Sequence, residues 1–209
     1  MLTLKGTPFL YNGEEIGMSD YLIEDLTQFK DQMGVWLYHL AHHLGGLPEE
    51  EALRIASRES RDKNRTPMQW ANAVNAGFSP AGVSTWLPVA PDYARGVNVA
   101  DQEKDPESLL NFYRKALAVR RDNPALVSGD YQPLLEDSKE VLAYMRSTPE
   151  QSCLVAMNMT AEPCQVQLDL VASAGVKFVF STHSRPAGVV DLEQLVLAPF
   201  EALIAEITR

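Results

Sequence analysis

The sequence predicts an α+β fold, with a helix-rich part over residues 1–124 and an antiparallel β-sandwich over 125–209. Three observations carry this. Apolar residues recur at helical spacing in blocks between 21 and 121. After Pro124 the pattern changes to short β-prone runs separated by turn residues. A single apolar run without alternation, residues 7–11, stands before both.

That first run, Thr7-Pro8-Phe9-Leu10-Tyr11 between Gly6 and Gly13, suits a strand buried on both faces, as in a parallel sheet. Such a strand needs neighbours, and none precedes it, so the chain reads as opening on a cut sheet. Residues 21–44 carry Leu22, Leu26, Phe29, Met33, Trp36, Leu37, Leu40 and Leu44 at helical spacings, with Gly45-Gly46 as the stop. Gly34 and the polar stretch around Asp31 are places where this helix can divide. Pro48 and Glu49-Glu50-Glu51 open a second helix over 48–60, favoured by the N-terminal dipole. Residues 61–104, rich in Pro, Gly, Asn and Asp, read as a long loop, and loops of that length are usually functional. Asp105-Pro106-Glu107 is expected to cap a helix running to about Arg121. Strands are then expected over 139–146, 152–159, 164–170, 176–181 and 200–207.

Composition narrows the function. A net charge of −10 repels phosphate backbones and argues against nucleic-acid binding, while a neutral ligand such as a sugar is indifferent to it. No apolar run approaches the roughly 20 residues that cross a bilayer. The first ten residues lack a basic leader and a cleavage site, so no signal peptide is expected there. Cys153 and Cys164 flank the turn-like 160–163; a hairpin there would leave them out of register, beyond disulfide reach. Two buried free thiols and a cytoplasmic location follow as expectations.

Several stretches carry a resemblance. Gly6-Thr-Pro-Phe-Leu-Tyr-Asn-Gly-Glu-Glu-Ile-Gly-Met18, Arg61-Asp-Lys-Asn-Arg-Thr-Pro-Met-Gln-Trp70 and Asn75-Ala-Gly-Phe-Ser79 come first. Asn98-Val99, Gln102, Asp105-Pro-Glu-Ser-Leu-Leu-Asn-Phe-Tyr-Arg114 and Arg121-Asp-Asn-Pro-Ala-Leu126 with Gly129-Asp-Tyr131 follow in order. Asn158-Met-Thr-Ala-Glu162 and Pro199-Phe-Glu-Ala202 extend the series almost to the end. Together they resemble the α-glucosidase and oligo-1,6-glucosidase branch of the α-amylase superfamily, glycoside hydrolase family 13. The resemblance implies the end of a (β/α)8 barrel, with its last strand, long loop and helices, followed by a C-terminal β domain. Asn12 and Ala71 depart from the branch, which usually has Tyr or Gln, and an acidic residue, at those places.

The implied chemistry is retaining hydrolysis of α-linked gluco-oligosaccharides. It needs two carboxyl groups about 5–5.5 Å apart, one as nucleophile and one as acid and base. In the family these stand on earlier barrel strands, so no catalytic residue is assigned in this chain and catalysis by it alone is not expected. Adjacent Glu14 and Glu15 on a strand would face opposite ways and so could not share one bond. Glu14 is a candidate for sugar contact at the end of a barrel strand, the alternative being that one of the two glutamates pairs with a nearby Arg and the other caps the next turn. Arg61 is the leading site candidate: in relatives the equivalent Arg binds hydroxyls at the non-reducing end of glucose, beside an acidic partner from early in the barrel. Its planar fork suits a carboxylate and vicinal hydroxyls together. The alternative is a loop-shaping network with Asp62 or Arg65. His39, His42 and His43 supply no third ligand, so no metal is expected, and no cofactor is implied. Trp36, Trp70 and Trp86 can stack on sugars, with packing as the alternative. Two further readings stay open: a trehalose synthase or sucrose isomerase of the same superfamily, and a non-catalytic module binding carbohydrate or protein through its sandwich. An incomplete barrel leaves segment 7–11 and one side of helix 107–121 apolar and uncovered, and self-association, or refolding of the N-terminal segment over the β domain, is expected to cover them.

Overall fold

The computed structural model describes residues 1–168, 175–185 and 195–208. It divides into two units, Leu10–Tyr113 on its own, and Met1–Phe9 together with Arg114–Arg209.

The unit Leu10–Tyr113 is built on a helical pair. Helix α1, Gln32–His39, continues as a wider π-helical turn, Leu40–Leu44, and ends on Gly45. Helix α2, Glu49–Glu59, packs against it through Ala52 and Ala56, with Ile23, Phe29, Tyr38 and Leu87 completing the core. Gly34 is required by this closeness. A Cβ there would lie 2.7 Å from the Phe29 ring and 2.9 Å from Ser60.

The helix expected from residue 21 begins only at Gln32. Asp25 and Asp31 explain the delay: each carboxylate accepts a backbone N–H two residues on, from Thr27 and from Met33. Such local bonds compete with a helix and fix its start. Residues 61–104 contain short helical turns, Arg61–Asn64, Val74–Gly77 and Pro91–Arg95, and one four-residue helix, α3, Val99–Gln102. Helix α4, Leu109–Asp122, starts later than expected, with the Ser108 hydroxyl accepting the Asn111 N–H in place of a cap by Asp105. A smaller core of Ile16, Met68 and Leu110 joins the loop to this helix.

Residues 7–11 form no strand. Among the described residues no strand pairs with them, and Phe9 is 83% exposed. An extended segment without a ladder partner gains nothing from β geometry. Residues 2–6 are instead held within the β-containing unit. Two buried arginines grip their carbonyls, Arg120 reaching Leu2, Leu4 and Gly6, and Arg146 reaching Thr3.

In that unit a short helix, α5, Pro124–Ser128, leads into the strands β1 Asp130–Leu134, β2 Val141–Ser147, β3 Ser152–Asn158, β4 Cys164–Val166, β5 Gly175–Ser181, β6 Leu195–Leu197 and β7 Ala202–Thr208. Five form an antiparallel sheet in the order β1-β2-β3-β7-β5; β4 and β6 form a two-stranded sheet. Alternation sorts the side chains. Val141, Ala143, Ala156 and Leu203 face Val166, Leu195 and Leu197 of the small sheet. Tyr144, Cys153, Val155 and Ile204 pack on Ala125 and Leu126. The larger sheet is therefore buried on both faces, which is why β3 reads as a continuous apolar run. The expected hairpin about 160–163 does not form: β3 and β4 belong to different sheets. Cys153 and Cys164 are free, the first buried and the second half-buried. Residues 169–170 of the strand expected over 164–170 lie outside the described residues.

Candidate functional site

The Arg61 site grows out of two helix boundaries in the unit Leu10–Tyr113. Helix α2 stops at Ser60, whose extended backbone and hydroxyl cap the next turn, accepting the Asp62 N–H at 3.1 Å. Twenty-nine residues before Ser60, Asp31 caps helix α1. The two turns clasp each other. Asp62 Oδ2 accepts the N–H groups of Lys30 and Asp31, both at 2.7 Å. Asp31 Oδ2 in return accepts the N–H of Arg61 at 2.9 Å.

On this clasp sits a side-on ion pair. Arg61 Nε donates to Asp31 Oδ2 at 3.1 Å and Nη2 donates to Oδ1 at 3.0 Å. The carboxylate is buried, with its side chain 2% exposed, whereas that of Arg61 is 65% exposed. The hydrogen bonds from the Arg61 side chain and N–H hold Asp31 well below the usual carboxylate range against the opposing pull of burial. The partner of Arg61 is therefore Asp31, and Asp62 serves the backbone. Arg61, Asp31, Lys30, Arg65 and Trp86 line an open groove of about 550 Å³.

Trp86 is about half exposed there, yet fixed: its Nε1 donates to Arg65 O at 3.0 Å, and Phe78 meets its ring edge-on at 4.9 Å. Trp36 and Trp70 are also half exposed, so none of the three is simply core. The loop carrying Trp86 is held by Asn75, whose amide donates to Ser79, Pro80 and Val83. Asn75 adopts φ +52°, a left-handed conformation that Asn tolerates better than most residues. After Arg65 the chain turns inward: Thr66, Pro67, Met68 and Gln69 are buried, and Gln69 Nε2 donates to Asp92 at 2.7 Å.

Glu14 lies elsewhere in the same unit, in a separate groove of about 260 Å³ with Asn12, Asp20 and Thr66. Glu14 and Glu15 occupy a helical turn, Glu14–Ile16, not a strand. Glu14 Oε1 accepts the Tyr113 hydroxyl at 2.7 Å and Oε2 accepts the Tyr11 N–H at 3.2 Å. The Tyr113 hydroxyl, more than the Tyr11 N–H, lowers the Glu14 pKa; burial and Glu14 together push Tyr113 up to about 12. Glu15 turns back to accept the Gly13 N–H at 2.9 Å. The carboxylates thus diverge, and the partner of Glu14 is a tyrosine, where an arginine was the alternative to sugar contact. The structure does not bring Glu14 and Arg61 into one groove. His39 and His43 stack at 5.2 Å, and no cluster of three metal-ligating side chains occurs among the described residues.

Residues 1–129 match the family described as "Alpha amylase, catalytic domain", and residues 131–204 match "Maltogenic Amylase, C-terminal domain". The chain belongs to the α-amylase family. A probable oligo-1,6-glucosidase 2 of Bacillus subtilis is 35% identical over 96% of the chain, and a glucan 1,6-alpha-glucosidase of Streptococcus pneumoniae is 36% identical over 98%. The chain spans only 35% and 36% of those two proteins. Among solved structures, trehalose-6-phosphate hydrolase of Bacillus licheniformis superimposes with a TM-score of 0.84 at 28% identity, over 100% of this chain and 37% of that one. The trehalulose synthase of Pseudomonas mesoacidophila MX-45 gives 0.81 at 32% identity, over 99% of this chain and 36% of that one.

Asp31 escaped the sequence reading as a site residue. Its position before a helical block marks a cap, but its pairing across thirty residues has no local signal.

Proposed function

We propose that the chain forms the C-terminal part of a retaining α-glucosidase acting on α-linked gluco-oligosaccharides, with the acid pair supplied from outside these residues. The observation that carries this is Arg61: an exposed guanidinium, anchored from behind by a buried carboxylate, at the mouth of a groove. Its remaining donors suit the vicinal hydroxyls of a terminal glucose. Glu14 is proposed as a lesser sugar contact, through whichever lone pairs Tyr113 and Tyr11 leave open. The proposed junction between barrel part and β domain is 124–125; the nearby change of family match, between 129 and 131, supports it. Free Cys153 and Cys164 support a reducing, cytoplasmic setting. Exposed Phe9, Trp36 and Leu44 support self-association of the isolated chain.

Likeness to trehalulose synthase favours one second reading, in which the same scaffold isomerises a disaccharide. Both readings are tested with a chromogenic α-glucoside and with sucrose, using this chain and a version extended upstream through a full barrel. Glucose release is expected from the extended version only, and Arg61→Ala there is expected to lower kcat/KM roughly 10- to 100-fold, the scale of lost hydrogen bonds to a charged group. Hydrolysis by the short chain at enzymic rates overturns the assignment of roles. Conversion of sucrose to an isomer establishes the second reading.

A further inference from the structure

We infer that Asp31 is a positioning residue, which aims the free edge of the Arg61 guanidinium at the hydroxyls of a bound glucoside. The inference rests on the sugar-binding reading of Arg61 and adds a specific agent to it.

Arginine has five N–H donors in one plane. Asp31 engages two of them, one on Nε and one on Nη2, along a single edge. Both Nη1 donors and the second on Nη2 remain on the side away from Asp31, and among the described residues no protein partner is seen for Nη1. The asymmetry of burial gives direction: the carboxylate is 2% exposed and the guanidinium side chain 65%. A flexible arginine would lose rotamer freedom on binding sugar. Here the pair has removed that freedom beforehand.

Asp31 is itself held rigidly. Its N–H is bound by Asp62 at 2.7 Å, and its carboxylate also takes the N–H groups of Arg61 and Met33. One carboxylate therefore couples the start of helix α1 to the end of helix α2 and to the groove. A lysine at 61 could not take this side-on grip, since an ammonium has no planar fork.

The test titrates the full chain with methyl α-glucoside and its 4-deoxy analogue, followed by NMR of arginine side-chain nitrogens. In the parent chain the glucoside is expected to shift the Arg61 Nη1 signals and leave the Nε signal in place. Displacement of Nε by sugar overturns the inference without any mutation. Asp31→Asn keeps an oxygen for the Met33 N–H, and Asn caps helices as well as Asp. It is expected to weaken the glucoside about two- to tenfold and to abolish discrimination against the 4-deoxy analogue. A folded Asp31→Asn chain with parental discrimination overturns the positioning role while leaving Arg61 as a sugar ligand. No glucoside binding by this chain overturns the inference while leaving Arg61 to be tested in the extended version; parental affinity in Arg61→Ala removes the underlying reading as well.

Discussion

The hydroxyl of Tyr113 donates to Glu14 across 99 positions of sequence at 2.7 Å, tying the turn after residue 13 to the first half of helix α4. Glu14 titrates below its ordinary value because of this bond, so its contribution to stability is present above the unfolded carboxylate pKa. That contribution falls away as pH drops through the lowered folded value. Tyr113→Phe is expected to cost about 0.5–1.5 kcal/mol at neutral pH, the net worth of one hydrogen bond. The cost should shrink at acid pH, where Glu14 is protonated in both states. Urea unfolding of both chains at a series of pH values from neutral downwards measures it; a deficit that stays constant across the whole series contradicts the assignment.

Gly34 sits inside helix α1 where a methyl group meets the Phe29 ring at 2.7 Å and Ser60 Cβ at 2.9 Å. Helix propensity favours Gly34→Ala by up to about 1 kcal/mol. Overpacking typically costs about 1–3 kcal/mol, so a net loss of stability is expected. Thermal unfolding decides the sign, and a raised midpoint would show that the two helices separate easily.

Residues differ sharply in how far their structural role could be read beforehand. The β2 and β3 strands were legible because their period and length are local properties, and Ala52 and Ala56 lie at helical spacing. The segment 7–11 misled for the same reason: its apolarity signals burial, but burial depends on neighbours the segment does not contain. Strands β1 and β6 were missed, one holding Pro133 and the other three residues long. Arg61 and Trp86 were singled out as candidates from the sequence, whereas Asp31 and Tyr113, the partners of Arg61 and Glu14, became visible only when folding set distant positions side by side.

Cys153 is fully buried and its thiol is pushed up to about 11, by burial first and Glu206 second. Cys164 is half-buried, with its thiol also raised, by burial and then by Glu140. A thiolate is the reactive species, and access limits attack. Iodoacetamide at pH 8 is expected to modify Cys164 slowly and Cys153 only after unfolding in urea. Peptide mapping reads this directly, and early labelling of Cys153 would mean that helix α5 opens readily from the sheet.

Glu201, 1% exposed, anchors the start of β7. Arg185 donates to it from Nε and Nη2, and Ser181 Oγ and the Ala198 N–H also donate, at 2.6 and 2.9 Å. Burial alone would raise its pKa; these donors outweigh burial and bring it down to about 2. The stabilisation is therefore complete above the ordinary carboxylate range and is lost as pH falls through about 2. Glu201→Ala leaves Arg185 without its carboxylate and is expected to cost about 3–5 kcal/mol at pH 7, as for a broken buried pair. Glu201→Gln keeps an acceptor and should cost less. Denaturant unfolding at pH 7 and pH 2.5 separates the cases: the Ala deficit must narrow at low pH. A deficit independent of pH would mean that shape, not charge, holds this corner of the sheet.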